Sequence, residues 1–367
     1  MAPRTVGVAA EKLVDPGTRQ ILDADRWDYA VALSRLLQEL GHQVIWWQLG
    51  DGWRGEILPE VPLLGALPAS CQFLTWPTAC ESFLERANGV DLAIYFDLAL
   101  AYPQVHEVSV AVAHGVTWDG PLFASRLPTA EEREEWKRRL GIALRNPLKV
   151  VTADAGLIHW AQATWPGLQY AFEYIPGFSL PPPALAARSD GPVTVLFPGP
   201  FTPERGIGET IRAMEALMVR HGDLRFRLSG RGEPAVEEYL AEWVERHQGA
   251  TLDRLPLTYD LLGEVDIALF PVKSGPGPIL ACLRAMAAGK AVIVGWAGGL
   301  SGLVLQEHTG KIVSPGAESL AEAIEELALH PAKRRLLADN AREAVAHAFS
   351  LERWRRRWTR LAEKLLD

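Results

Sequence analysis

The stretch from Val265 to Gly302, VDIALFPVKSGPGPILACLRAMAAGKAVIVGWAGGLSG, leaves this chain few ways to fold. Ile267, Ala268, Leu269 and Phe270 form a short apolar run closed by Pro271, which predicts a buried strand rather than a helix. Lys273 to Pro278 cannot continue a regular element, whereas a proline suits the first turn of the helix that follows. Ile279, Leu280, Leu283 and Ala287 recur at helical spacing until Gly289 stops the helix. Ala291 to Val294 predict a second strand, and Gly295 to Gly302 a second glycine-rich loop. Strand, loop, helix, strand is the repeating unit of an α/β domain built on a parallel sheet. A loop that feeds a helix N-terminus presents backbone N–H groups and the positive end of the helix dipole, a place for an anion and typically a phosphate. Such loops lie at the carboxyl ends of the strands, where open sheets bind ligands. Taken alone, the same glycines and prolines also serve as punctuation in any α/β domain.

The chain has 367 residues, which predicts two domains of ordinary size. A net charge of −8 argues against a general nucleic-acid binder, which needs a basic face. Cys71, Cys80 and Cys282 are odd in number and lack metal-ligand spacing, which argues for a reducing compartment and against a metal site or disulfide framework. With no leader pattern and no bilayer-length apolar run, the expected location is the cytoplasm. The 13 tryptophans read mainly as core, although aromatic faces also hold sugar rings.

Earlier in the chain, Thr5 to Ala9 predict a strand, Glu11 to Trp27 a polar loop, Tyr29 to Leu40 a helix stopped by Gly41, and Val44 to Leu49 a second strand. Asp51 to Leu74 give weak signals, with a hairpin or an irregular segment open. Asp91 to Phe96 and Val108 to Ala113 read as inner strands that run directly into Asp97 and His114. Thr129 and Glu132 form a capping box for the next helix. Lys149 to Thr152 and Val193 to Phe197 are further strands, and Pro181 to Pro183 stiffen the connection between them. Leu224 to Leu228 feed the loop Ser229 to Glu233, which opens a helix at Pro234.

The run Ala281 to Gly299 resembles the donor-binding signature of retaining glycosyltransferases with the GT-B fold, of the family 4 type, also called glycosyl transferases group 1. Ala285, Met286, Ala287, Gly289, Val292, Ile293, Gly298 and Gly299 carry the likeness. So do Gly199, Pro203, Glu204 and Gly206, the Gly230 to Pro234 loop, Gly310, Val313, Pro315 and Gly316, and the Gly41-His42 pair before the second strand. Four positions depart from the pattern. Pro276 and Arg284 stand where the family has glutamates, Pro200 where it has an arginine, and Leu22 to Arg26 where it has a glycine pair.

The resemblance implies an α/β GT-B fold with two Rossmann-like domains facing across a cleft. It places an acceptor-side domain at residues 1–177, a linker at 178–192, a nucleotide-sugar domain at 193–345 and a last helix, 346–367, that crosses back to the first domain. It implies metal-independent transfer, without a cofactor, of a sugar from a nucleotide-diphosphate donor to a glycan, lipid-linked or small-molecule acceptor, with retention of configuration. Donor and phosphate binding would fall to Gly199, Arg205, Gly206, Gly230, Arg231, Gly277, Pro278, Ile279 and Arg284. The charge growing on the diphosphate would be taken up by Arg205, by Arg284 and by the N–H groups from Gly277 to Ile279. His114 would act beside Arg205 in catalysis, with Asp25, Trp118 and Asp119 on the acceptor side. The expected assembly partners are a second copy or another glycosyltransferase.

The final helix, Leu351 to Leu365, has an apolar and a basic face, which fits packing on the first domain and, as an alternative, peripheral contact with the inner face of a membrane. The loss of the arginine at 200 and of the glutamates at 276 and 284 opens a second functional reading: a catalytically degenerate protein that serves as a nucleotide-binding or scaffold subunit.

Overall fold

The computed structural model describes residues 3–50, 52–67, 77–114, 129–184, 191–314 and 316–366, without the side chains of 66–67 and 77–80. The chain forms two compact units: the first runs to Pro176 and takes the chain back from Trp354 onward, and the second spans Gly177–Arg353.

The first unit is built on an eight-stranded sheet in the order β3-β4-β2-β1-β5-β6-β7-β8. Its elements are β1 (Thr5–Ala10), α1 (Ala24–Glu39), β2 (Gln43–Leu49), β3 (Trp53–Leu58), β4 (Val61–Leu67), α2 (Pro77–Ala87), β5 (Leu92–Tyr95), β6 (Ser109–Ala113), α3 (Ala130–Arg145), β7 (Lys149–Thr152), α4 (Ala155–Thr164) and β8 (Phe172–Tyr174). Among the described strands only the β3–β4 pair is antiparallel, so the described part of the weakly signalled segment after Asp51 is an edge hairpin. The inner strands are buried on both faces, which is why they read as continuous apolar runs instead of alternating ones.

Two local expectations change. The helix expected from Tyr29 begins at Ala24, because Asp23 caps it by accepting a hydrogen bond from the Arg26 N–H at 3.0 Å. The segment before it is not a solvated loop: Leu13 and Val14 are buried, and Gln48 on β2 holds both of their N–H groups through its Oε1. An apolar pair and a distant amide thus fix a stretch whose composition looks unstructured.

The second unit has the all-parallel order β11-β10-β9-β12-β13-β14. It comprises β9 (Thr194–Phe197), α5 (Ile207–Arg220), β10 (Arg225–Ser229), α6 (Pro234–Arg246), β11 (Ala250–Asp253), α7 (Tyr259–Gly263), β12 (Ile267–Phe270), α8 (Ile279–Ala287), β13 (Ala291–Gly295), β14 (Lys311–Val313), α9 (Ala317–Leu329) and α10 (Pro331–Ala348). Phe178 and Ser179 are buried with this unit, and the Ser179 N–H donates to the Phe349 carbonyl at 3.0 Å.

In each sheet the strand order reverses once. The first sheet grows from β1 through β2 in one direction and through β5 in the other; the second does the same from β9 through β10 and β12. Loops leaving strands on either side of such a reversal separate, and they leave a crevice at the carboxyl edge.

The last helix, α11 (Leu351–Leu366), buries Trp354, Trp358, Leu361 and Ala362. From Trp354 it belongs to the first unit: Trp358 donates to the Tyr29 hydroxyl at 2.8 Å, Arg357 donates to the Tyr174 carbonyl at 2.6 Å, and Arg355 pairs with Glu39. Its apolar face is therefore occupied by protein. Among the described residues, no helix is long and apolar enough to cross a membrane.

Candidate functional site

In the second unit, four loops interlock at the carboxyl ends of β9, β10, β12 and β13. The loop after β9 turns at Gly206, whose φ of +80° favours glycine; a Cβ there would lie 2.4 Å from the Pro271 carbonyl oxygen. Gly199 and Gly230 pass so closely that a Cβ on Gly230 would lie 3.0 Å from the Gly199 Cα. Backbone hydrogen bonds complete the lock: Phe201 N–H to the Arg231 carbonyl at 2.7 Å and Lys273 N–H to the Glu204 carbonyl at 2.8 Å. The result is a rigid, glycine-lined edge on both sides of the β9/β12 reversal.

One expected feature of this edge is corrected. The N–H groups from Gly277 to Ile279 are not on offer to a diphosphate: Gly277 donates to Gly298 O at 3.1 Å, Ile279 donates to Gly277 O at 2.9 Å, and Pro278, which caps α8, has no N–H.

The charges on this edge are unequally placed. Arg205 ends the short turn Pro203–Arg205 and is half-buried immediately before Gly206. Arg231 is exposed, and its carbonyl rather than its side chain ties the loops together. Arg284 donates from Nη1 to the Leu257 carbonyl at 2.8 Å. One N–H of its guanidinium is thereby engaged within the second unit. The sequence reading missed Lys273, which lies three residues past the end of β12, is held near Arg205 by the Glu204 carbonyl, and pairs with Glu209 at 3.0 Å. A lysine just past a buried strand on the loop-bearing side was the available signal.

In the first unit, the ends of β1, β5 and β6 and the start of α1 bring together Glu11, Asp97, His114 and Arg26. Arg26 Nη2 contacts both Asp97 oxygens, at 2.7 and 2.6 Å, and the Glu11 N–H donates to Asp97 Oδ2 at 2.7 Å. The His114 ring meets Phe96 at 4.4 Å and Tyr29 at 5.2 Å between centroids, and Arg26 lies over Phe96 at 5.7 Å. His114 Nε2 and Arg26 Nε are shut off from solvent and have no hydrogen bond among the described residues. Asp25 sits half-buried on the first turn of α1, while Trp118 and Asp119 lie outside the described residues. Glu11 and Arg26 were missed, although Glu11 follows β1 as Asp97 follows β5 and His114 follows β6.

Burial holds the His114 imidazole neutral, with its pKa lowered to about 3, and the nearby Arg26 charge adds to this. Burial and the Asp97 charge raise the Glu11 pKa to about 7, against an opposing effect of Arg26. A raised carboxyl leaves stability untouched below its ordinary value of 4.5 and withdraws it as pH rises through about 7. A lowered histidine works in the opposite sense: its contribution is complete above 6.5 and is lost as pH falls toward about 3. Glu11→Gln should therefore match the parent in urea midpoint near pH 4.5 and exceed it above pH 7. Equal gaps at both pH values would show that Glu11 is not buried against Asp97.

Among the described residues, no group of histidine, cysteine or carboxylate side chains is placed to hold a metal ion.

The two parallel-sheet α/β units define the GT-B fold. Sucrose-phosphate synthase from Thermosynechococcus elongatus superposes with a TM-score of 0.77 at 20% identity, over 99% of each chain. Anabaena HepE in complex with UDP-glucose gives 0.74 at 14% identity, over 98% of this chain and all of the other. WaaG, a glycosyltransferase involved in lipopolysaccharide biosynthesis, gives 0.70 at 15%, over 96% and 98%. Within this fold, residues 192–330 match the family model for Glycosyl transferases group 1, so the second unit carries a domain of that family. An uncharacterized glycosyltransferase of Methanocaldococcus jannaschii is 28% identical over 181 residues, which is 47% of this chain and 43% of that relative's length. Domain and fold together support glycosyl transfer.

Proposed function

We propose that this protein transfers a sugar from a nucleotide-diphosphate donor, held by the second unit, to a glycan, lipid-linked or small-molecule acceptor taken by the first, with retention of configuration. The observation that carries the reading is the interlocked glycine edge at the β9/β12 reversal, with Arg205 and Lys273 on its two flanking loops. A departing nucleoside diphosphate gathers negative charge, and prepositioned cations in a rigid edge stabilise that charge without reorganising. Arg205 offers a planar fork to phosphate oxygens. Lys273 is already balanced by Glu209, so its net contribution is smaller. On the acceptor side, His114 is held neutral and can accept or donate a hydrogen bond to a hydroxyl.

Calorimetric titration with UDP, GDP, ADP and dTDP tests the donor half. One of them should bind, and Arg205→Ala should weaken that binding roughly ten- to hundredfold, as expected for loss of one charge-assisted hydrogen bond. Lys273→Ala should weaken it less. Unchanged affinity in Arg205→Ala would remove that residue from the site.

The second reading, a nucleotide-binding or scaffold subunit without activity, is favoured by one observation. Arg284 stands at a position where the family carries a glutamate, and it is committed to the Leu257 carbonyl. Nucleotide binding without release of sugar from the matching donor would establish that reading.

A further inference from the structure

The first sheet reverses its strand order between β1 and β5, and the two residues that leave those strands toward the crevice are Glu11 and Asp97. Their situations differ. Asp97 is saturated by Arg26 and by the Glu11 N–H. The Glu11 carboxylate accepts no hydrogen bond among the described residues, although Glu11 is half-buried beside that ion pair. Two further polar atoms of the same cluster, His114 Nε2 and Arg26 Nε, are buried and unsatisfied. Folded proteins leave few such groups, and two of them beside a half-buried carboxylate mark a place where a ligand supplies the missing partners.

We propose that Glu11 is a hydroxyl-binding residue of the first unit, its carboxylate accepting a hydrogen bond from a neutral, polyhydroxylated ligand of the sugar class at the β1/β5 reversal. The charges around it favour this ligand. Arg26 already balances Asp97, so an anion would face the Glu11 carboxylate unscreened, and the neutral His114 offers a partner to a second hydroxyl. The groups that face Glu11 are Asp97 after β5, Arg26 and Asp23 at the start of α1, and the neutral His114 after β6. This inference rests on the glycosyl-transfer reading, and it names the residue that would recognise the acceptor.

Saturation-transfer NMR on the full chain with glucose, galactose, mannose, N-acetylglucosamine and glucosamine tests it. At least one neutral sugar should receive saturation, binding about tenfold more tightly at pH 8 than at pH 6, the ratio of ionised Glu11 at the two values. Glu11→Gln should abolish the pH dependence and weaken binding at pH 8, whereas Arg205→Ala should leave both unchanged. Saturation of no sugar, an unaltered pH dependence in Glu11→Gln, or a preference for glucosamine over every neutral sugar would each overturn the proposal; the last would mean a cation site. Nucleotide calorimetry on the same samples separates the two failures. Nucleotide binding without sugar binding sinks only this inference, and absence of nucleotide binding sinks the donor reading.

Discussion

Trp358→Ala should destabilise the first unit by about 3–5 kcal/mol, the range for removing a fully buried tryptophan. The indole is 2% exposed, packs against Trp354 and Tyr29, and donates to the Tyr29 hydroxyl. Its loss opens a cavity and removes one hydrogen-bond donor from the buried Tyr29 hydroxyl. The effect should travel, because Tyr29 also supports the His114 ring. Urea unfolding followed by circular dichroism measures the stability loss. Trp358→Phe, which keeps most of the volume and loses only the hydrogen bond, should cost about 1–2 kcal/mol. If the two variants cost the same, packing of the last helix is not what holds this unit.

The second large effect is expected of Arg26→Met. Methionine keeps most of the apolar stem, so the change isolates the guanidinium. Without it, Asp97 and Glu11 become like charges in a half-buried setting, and breaking such a pair costs about 3–5 kcal/mol at neutral pH. The loss should shrink on acidification, as protonation of Glu11 removes its repulsion with Asp97. Urea midpoints near pH 7 and near pH 5 read this directly. A loss that does not change with pH would mean that Arg26 acts by packing alone.

The sequence was most legible where local chemistry and tertiary role agree. The strands ending at Phe270 and Val294, the capping box at Thr129 and the helix stop at Gly289 are signalled by their own residues, and the fold follows from their order. The family likeness pointed to the loops that form the interlocked glycine edge, yet the detail there depends on partners far along the chain. Arg284 reads as an open charge until its bond to the Leu257 carbonyl is in place, and the N–H groups of Gly277 and Ile279 read as open until their carbonyl partners are in place. Lys273 and Glu11 were passed over for the same reason. Each is a single polar residue after a strand, and it acquires meaning only from the strand order, which places the two at the reversals of their respective sheets. Leu13 and Val14 show the limit in its plainest form, since their burial depends on Gln48, more than thirty residues away.

The return of α11 to the first unit has a consequence for biosynthesis. Because residues from Trp354 onward complete a core begun at Thr5, a nascent chain emerging from the ribosome presents the whole of the second unit before the first can close. The interposed unit can reach its native state early, while Tyr29 and the apolar residues beneath Trp354 and Trp358 wait uncovered. That interval is when chaperone capture or premature proteolysis has its opening.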